Sequence, residues 1–224
     1  MSAPAARTSR LQQWAGLAGI AYVALFIGGS ILGFSGQPDT DSPPAKIIAY
    51  YSKGSHRDKI SVGWILIVLG IFGFLWFLTA LRQLLRDVDG GGFLSTLTMI
   101  GGAVYASLSL AGVSLNMAIK TMSDDTFRHQ VFPELIHAAD DAGYVMHATG
   151  GIGAGAMIIA ATLAASRAGL IPAWAAWLGV IFGILALGSI FFFPQALIAI
   201  WIIVAAVLLF RAGPAAPAAP APAV

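Results

Sequence analysis

The sequence contains no cysteine, which excludes disulfides, thiolate metal sites, iron–sulfur clusters and cysteine nucleophiles together. Charge is almost as scarce, since only 10% of the 224 residues are Asp, Glu, Lys or Arg. A soluble domain carries about 25%, so a fold solvated wholly by water is excluded as well. Catalytic signatures are also missing: there is no Gly-x-Ser-x-Gly, no His-Glu-x-x-His, no phosphate-binding loop and no extended acidic diphosphate motif. The pI near 9.1 does not point to nucleic acid, because the net charge is only +2 and no Lys/Arg cluster exists.

Apolar residues dominate instead, at 58% of the chain with a mean hydropathy of +0.83. Six runs, at 14–34, 60–81, 93–118, 142–164, 172–193 and 196–210, approach or exceed the roughly 20 residues a helix needs to cross a bilayer. Arg7 and Arg10 precede the first run, but it is too long for a secretory segment and lacks a small-residue cleavage site, so it reads as a retained span. The expected fold class is all-α: a polytopic membrane protein forming a six-transmembrane-helix bundle over residues 1–211, with short amphipathic helices in the outer loops. The Pro/Ala-rich segment 212–224 has no core-forming residues and reads as a disordered tail.

Lys and Arg divide six to six between the two sides, so totals alone do not orient the chain. Their placement does. Arg82, Arg86, Arg167 and Arg211 sit in tight loops or flank spans, whereas Lys46, Lys53, Lys59 and Arg128 are spread over long loops. Cytoplasmic N- and C-termini follow. In the first outer loop Ser42-Pro43-Pro44 offers an N-cap and a proline at the first helical position, followed by Ala45, Ile47, Ile48 and Tyr51 on one side. This pattern predicts a short helix lying on the outer membrane surface. Ser123-Asp124-Asp125 starts another, and Pro133-Glu134 opens a longer helix that protrudes above the membrane before running into span four. Three spans on each side of the second outer loop permit an inverted repeat, but the halves share no sequence similarity.

Lipid provides no hydrophobic drive for helices to associate, so small residues mark where they touch. Gly29/Gly33, Gly151/Gly155 and Gly179/Gly183 place small faces on spans one, four and five, each able to bind a helix of this chain, a second copy or a membrane partner. On span three, Thr98, Gly102, Tyr105, Ser109, Gly112, Asn116 and Lys120 share a stripe. Its natural partner is span four, where His137, Asp140, Asp141, Tyr144 and His147 fall within an arc of about 120° that Gly151 and Gly155 continue. With the two helices antiparallel, His147 comes level with Gly112, and Asn116 approaches Asp141 and Tyr144.

These ionisable groups need a reason to be where they are. His137 and Asp141 have the i,i+4 spacing of two metal ligands, yet no second helix brings obvious further ligands, and a wet helix start is the favoured account of His137, Asp140 and Asp141. A bis-histidine haem requires a second intramembrane histidine, which the sequence lacks. No cofactor is expected. His147, about two turns inside the span, is the candidate for ligand contact or proton transfer, with Asn116, Tyr144, Ser109 and Tyr105 as further ligand-binding candidates.

Leu81-Arg-Gln-Leu-Leu-Arg86 closing span two and Ile171-Pro-Ala-Trp-Ala-Ala-Trp-Leu-Gly179 opening span five resemble segments of small, uncharacterised six-span integral membrane proteins of high-GC, actinobacterial type. The resemblance extends over most of the chain in layout and over few specific residues. It implies a bacterial plasma membrane and carries over no catalytic residue. Three functions are expected to compete. The first is binding or moving a small or lipidic molecule through an outer-leaflet polar cavity between spans three and four. The second is an enzyme using His147 with Asp140 or Asp141 as acid and base on a lipid-soluble substrate. The third is an accessory subunit docking a partner through its small-residue faces.

Overall fold

The computed structural model describes residues 10–39, 42–90, 92–121, 132–191 and 193–211. Among them the chain forms seven α-helices and one 3₁₀ turn: α1 (Arg10–Phe34), α2 (Pro44–Tyr51), α3 (Gly54–Arg86), α4 (Phe93–Thr121), α5 (Pro133–Arg167), α6 (Ala173–Ala186), the turn Ser189–Phe191, and α7 (Phe193–Arg211). Five of these, α1, α3, α4, α5 and α7, are long and apolar enough to cross a membrane. The protein is therefore all-helical and membrane-embedded. Large apolar side chains such as Phe72, Ile31 and Val204 face outward, as lipid solvation allows. Trp14, Trp174 and Trp177, near the N-termini of α1 and α6, are about 70% exposed (69%, 68% and 70%) and suit one interfacial belt.

Length separates the helices into kinds. At 1.5 Å per residue, the 33 residues of α3 and 35 of α5 extend about 50 Å, well beyond a hydrocarbon core of about 30 Å, so both continue into the interfacial layers. α5 begins with Pro133 in its first turn, where a missing N–H costs nothing. It ends at Gly169, whose φ of 69° allows the Leu170 N–H to bond the Ala165 carbonyl at 2.9 Å. α6 has only 14 residues, about 21 Å, and does not run on to residue 193 as the hydropathy pattern suggests. It stops at Ala186, where the Ser189 hydroxyl donates to the Ala186 carbonyl at 2.6 Å and the chain tightens into the 3₁₀ turn.

The helices form a closed ring in the order α1, α3, α4, α5, α6, α7, with α7 returning to α1. Glycine sets the contacts. A Cβ on Gly63 of α3 would lie 2.7 Å from Gly33 Cα of α1, and one on Gly143 of α5 would lie 2.6 Å from the Gly112 carbonyl oxygen of α4. Gly151 and Gly155 pack on Ser189 and Gly183, and Gly179 packs on Thr162. All three small-residue faces are thus occupied by helices of the same chain. In the half of the ring farther from α2, Phe77 fills the space against Gly19, Leu78 meets Gly102, and Ala206 packs on α1. The half nearer α2 is not filled.

α2 departs from its expected role. Its N-cap position is Pro43, without a side-chain hydrogen bond, while Ser42 Oγ lies 3.3 Å from Lys46 Nζ. Ile47 and Tyr51, expected on a membrane surface, are each 1% exposed because they plug the end of the ring. The buried Arg57 guanidinium donates to the Tyr51 carbonyl at 2.8 Å and ties α2 to α3. The helix expected at Ser123 and the tail at 212–224 lie outside the described residues.

Candidate ligand-binding cleft

Where α1 and α5 face one another across the ring, a cavity of about 880 Å³ opens between α1, α4, α5 and α7. It does not lie between α4 and α5, the position the paired stripes suggested, because Gly112 and Gly143 bring those backbones into contact. Its walls come instead from the second half of α1 (Tyr22 to Ser35), the flank of α4 and α5, and the start of α7 (Phe193 to Ala199). Two wall residues, Ile31 and Phe193, keep 64% and 59% of their surface exposed, so the cavity is a cleft open to the surrounding medium. Among the described residues no Asp, Glu, Lys or Arg lines it.

A chain of polar side chains runs along this wall through four helices. The Tyr22 and Tyr105 hydroxyls are 2.9 Å apart and fully enclosed by α1, α3 and α4. Tyr105 is within hydrogen-bonding reach of Ser109, whose Oγ lies 3.0 Å from His147 Nδ1, and His147 in turn reaches the Gln195 side chain of α7. The His147 ring is held flat against Phe26, with centroids 5.5 Å apart and planes inclined by 22°, and lies 6.1 Å from the Tyr105 ring. This arrangement needs the glycines, since the same contact that sets Gly112 on Gly143 puts the His147 backbone beside α4. The Gln195 amide nitrogen is buried and has no partner.

At the α2 end the cleft is closed by a charged cluster. Lys120, 1% exposed, places Nζ 2.8 Å from Asp140 Oδ1, 2.6 Å from Gln37 Oε1 and 3.0 Å from Asn116 Oδ1, with the Phe34 and Tyr51 rings 5.8 and 5.5 Å away. Asn116 Nδ2 donates to Asp140 at 2.6 Å, the Tyr51 hydroxyl donates to Gln37 Oε1 at 2.9 Å, and Gln37 Nε2 donates to the Gly33 carbonyl at 2.6 Å. Every polar atom of Gln37 is used, which fixes the amide orientation. Burial lowers the Lys120 pKa, and the Asp140 carboxylate beside it opposes that shift. Burial raises the Tyr51 pKa first, with the Asp140 charge and Tyr50 adding to it, so the hydroxyl stays a donor.

The candidate residues therefore divide. Tyr105, Ser109 and His147 form one group, and Asn116 and Asp140 join Lys120 in another. Asp141 is exposed. Asn116 bonds Asp140 instead of Asp141, because Asp140 points toward α4 and Asp141 away from it. The Tyr144 hydroxyl donates to the Ile190 carbonyl beyond α6 and does not meet Asn116. His147 lies seven residues, about 10 Å of helix, from Asp140. No hydrogen bond joins His147 to Asp140 or Asp141 among the described residues, so the acid–base trio does not assemble. Ser109, 1% exposed and off the cleft lining, orients the histidine ring and is not presented to a ligand.

For a metal, no group of three or more His, Asp or Glu side chains comes together among the described residues. His137 and Asp141 share a helix without a third ligand, and His137 Nε2 is buried without a partner. Sequence reasoning placed Tyr51 on the membrane surface and missed Tyr22, Phe26, Gln37 and Gln195. Only Tyr22 and Phe26 carried any signal, as aromatic residues one turn apart on a span.

Fold and site together define a helical membrane protein with an open cleft that, among the described residues, no charged side chain lines. Comparison with protein-family models, curated proteins and solved structures gives no match to this chain.

Proposed function

We propose that this protein binds or moves a small or lipidic molecule through the cleft between α1, α4, α5 and α7. The reading rests above all on an open cavity of about 880 Å³ whose lining, among the described residues, carries no charged side chain. Pockets of about 300–1,000 Å³ with apolar walls and a few polar groups are the usual form of small-molecule sites. In the proposed topology α6 and the following 3₁₀ turn cross together as the fifth of six spans, both termini are cytoplasmic, and α2 faces the outside of a bacterial plasma membrane. The cleft then opens into the outer leaflet, where a lipophilic ligand is concentrated.

The other two readings draw less support. An acid–base enzyme needs a carboxylate on His147, and Asp140 is engaged by Lys120 and Asn116. An accessory subunit docking through glycine faces needs those faces free, and they are filled within the chain.

Native mass spectrometry of the full chain in a mild detergent tests the proposal. The parent is expected to retain a small-molecule adduct that Ala199→Trp, which fills the cleft wall, loses while unfolding as cooperatively as the parent. An Ala199→Trp protein that keeps the same adduct would overturn the reading, as would a parent that neither carries an adduct nor takes one up from added lipid extract.

A further inference from the structure

The cleft-binding reading leaves the ligand's chemistry open, and four features of the wall narrow it. Because no charged residue lines the cleft among the described residues, and the Lys120 ammonium at its end is already engaged by Asp140, Gln37 and Asn116, a carboxylate or phosphate head would be desolvated there at a cost, so the enclosed part of the ligand is uncharged. The walls are rich in flat rings, with Phe26, His147, Tyr105 and Phe193 among them, and Phe26 and His147 stack on one another into a single aromatic wall. Such walls favour a planar partner.

The third feature is Gln195. Its amide nitrogen, buried at the cleft wall, has no hydrogen-bond partner among the described residues, and a buried donor left unpaired is costly. The terminal torsion of glutamine turns through a broad, roughly two-fold profile, so a small rotation delivers the N–H to an acceptor lying against the His147 ring. A ring carbonyl of a ligand in the cleft would be such an acceptor. The fourth feature is the mouth, where the exposed Ile27 and Ile31 offer an apolar path outward for a tail.

Resting on the cleft-binding reading above, we propose that the ligand is an isoprenoid quinone or a close chemical equivalent. It is a planar, uncharged ring lipid whose ring carbonyl accepts from Gln195 while its tail leaves past Ile31. The ring lies beside Phe26 and His147, and the Tyr22–Tyr105–Ser109 hydroxyls hold that histidine from behind.

Titration of the full-length protein in detergent with menadione, followed by saturable thermal stabilisation, tests this directly. The comparison probe is 2-methylnaphthalene, which has the same ring outline and no carbonyl. Menadione is expected to bind the parent about ten-fold more tightly than the hydrocarbon, and Gln195→Leu to remove most of that preference while leaving the hydrocarbon's affinity unchanged, the fold-change of one hydrogen bond. Unchanged hydrocarbon binding also certifies that the variant is folded. Equal affinity of the two probes, both abolished by Ala199→Trp, would overturn the quinone assignment and leave the cleft reading standing. A parent that binds neither probe overturns the assignment too, and added lipid extract then decides the cleft reading separately.

Discussion

Replacing Asp140 with alanine removes the carboxylate partner of Lys120, an ammonium that is 1% exposed and lies 2.8 Å from it. Breaking a fully buried ion pair from one side costs about 3–5 kcal/mol, because the remaining charge stays desolvated. Two features reduce that here. The Asp140 side chain keeps 22% of its surface exposed, and Gln37 Oε1 and Asn116 Oδ1 still accept from Lys120 after the substitution. About 2–3 kcal/mol is therefore expected, which for a chain of this size lowers the melting temperature by about 4–12 °C. The companion variant Lys120→Met/Asp140→Leu removes both charges and is expected to recover most of the loss, so the coupling between the two sites should exceed 1 kcal/mol or so. Thermal unfolding of the parent, Asp140→Ala, the two singles Lys120→Met and Asp140→Leu, and the double variant in one detergent measures both the loss and the cycle. An Asp140→Ala protein melting within about 1 °C of the parent, or a double variant no better than the single one, would refute the cluster as the closure of the cleft.

Gly143→Ala puts a methyl 2.6 Å from the Gly112 carbonyl oxygen and forces α4 and α5 apart, at about 1–3 kcal/mol. Gly28→Ala on α1, where a Cβ would meet nothing within 4 Å, is the control and should be neutral or slightly stabilising in the same melting assay. Tyr22→Phe deletes the hydroxyl bonded to Tyr105 and should cost about 1 kcal/mol, whereas the double change of Tyr22 and Tyr105 to Phe should cost less than the sum of the two singles.

Much of the α4–α5 seam was legible in the sequence because its residues are periodic. One stripe of small and polar residues on each of two antiparallel neighbours determines both the contact and the level, and Ser109 meets His147 at 3.0 Å as that geometry requires. The start of α5 at Pro133 was equally legible, since proline can only begin a helix there. The position of the cleft was not. It depends on α1, where Gly29 and Gly33 mark the face that packs on α3, while the apolar residues around the rest of its second half give no sign of which side meets a cleft. Gln37 and Tyr51 reach Lys120 from a loop and a short helix far away in sequence, and no local period encodes such a contact. The hydropathy pattern ran through Gly188 because every residue there but Ser189 is apolar, while the break after Ala186 comes from that serine capping the Ala186 carbonyl and seating on Gly151.

The central claim is that a lipophilic molecule occupies the space between α1, α4, α5 and α7. Photolabelling the protein in vesicles with a diazirine-bearing lipophile, followed by peptide mapping, tests it most directly. Labels are expected to concentrate on cleft-facing residues of α1 between 22 and 35 and of α7 between 193 and 199, and to be competed away by excess unlabelled probe. Uniform labelling of the outward faces, with Trp174, Trp177 and Ile65 modified as heavily as the cleft and no competition, would contradict the claim.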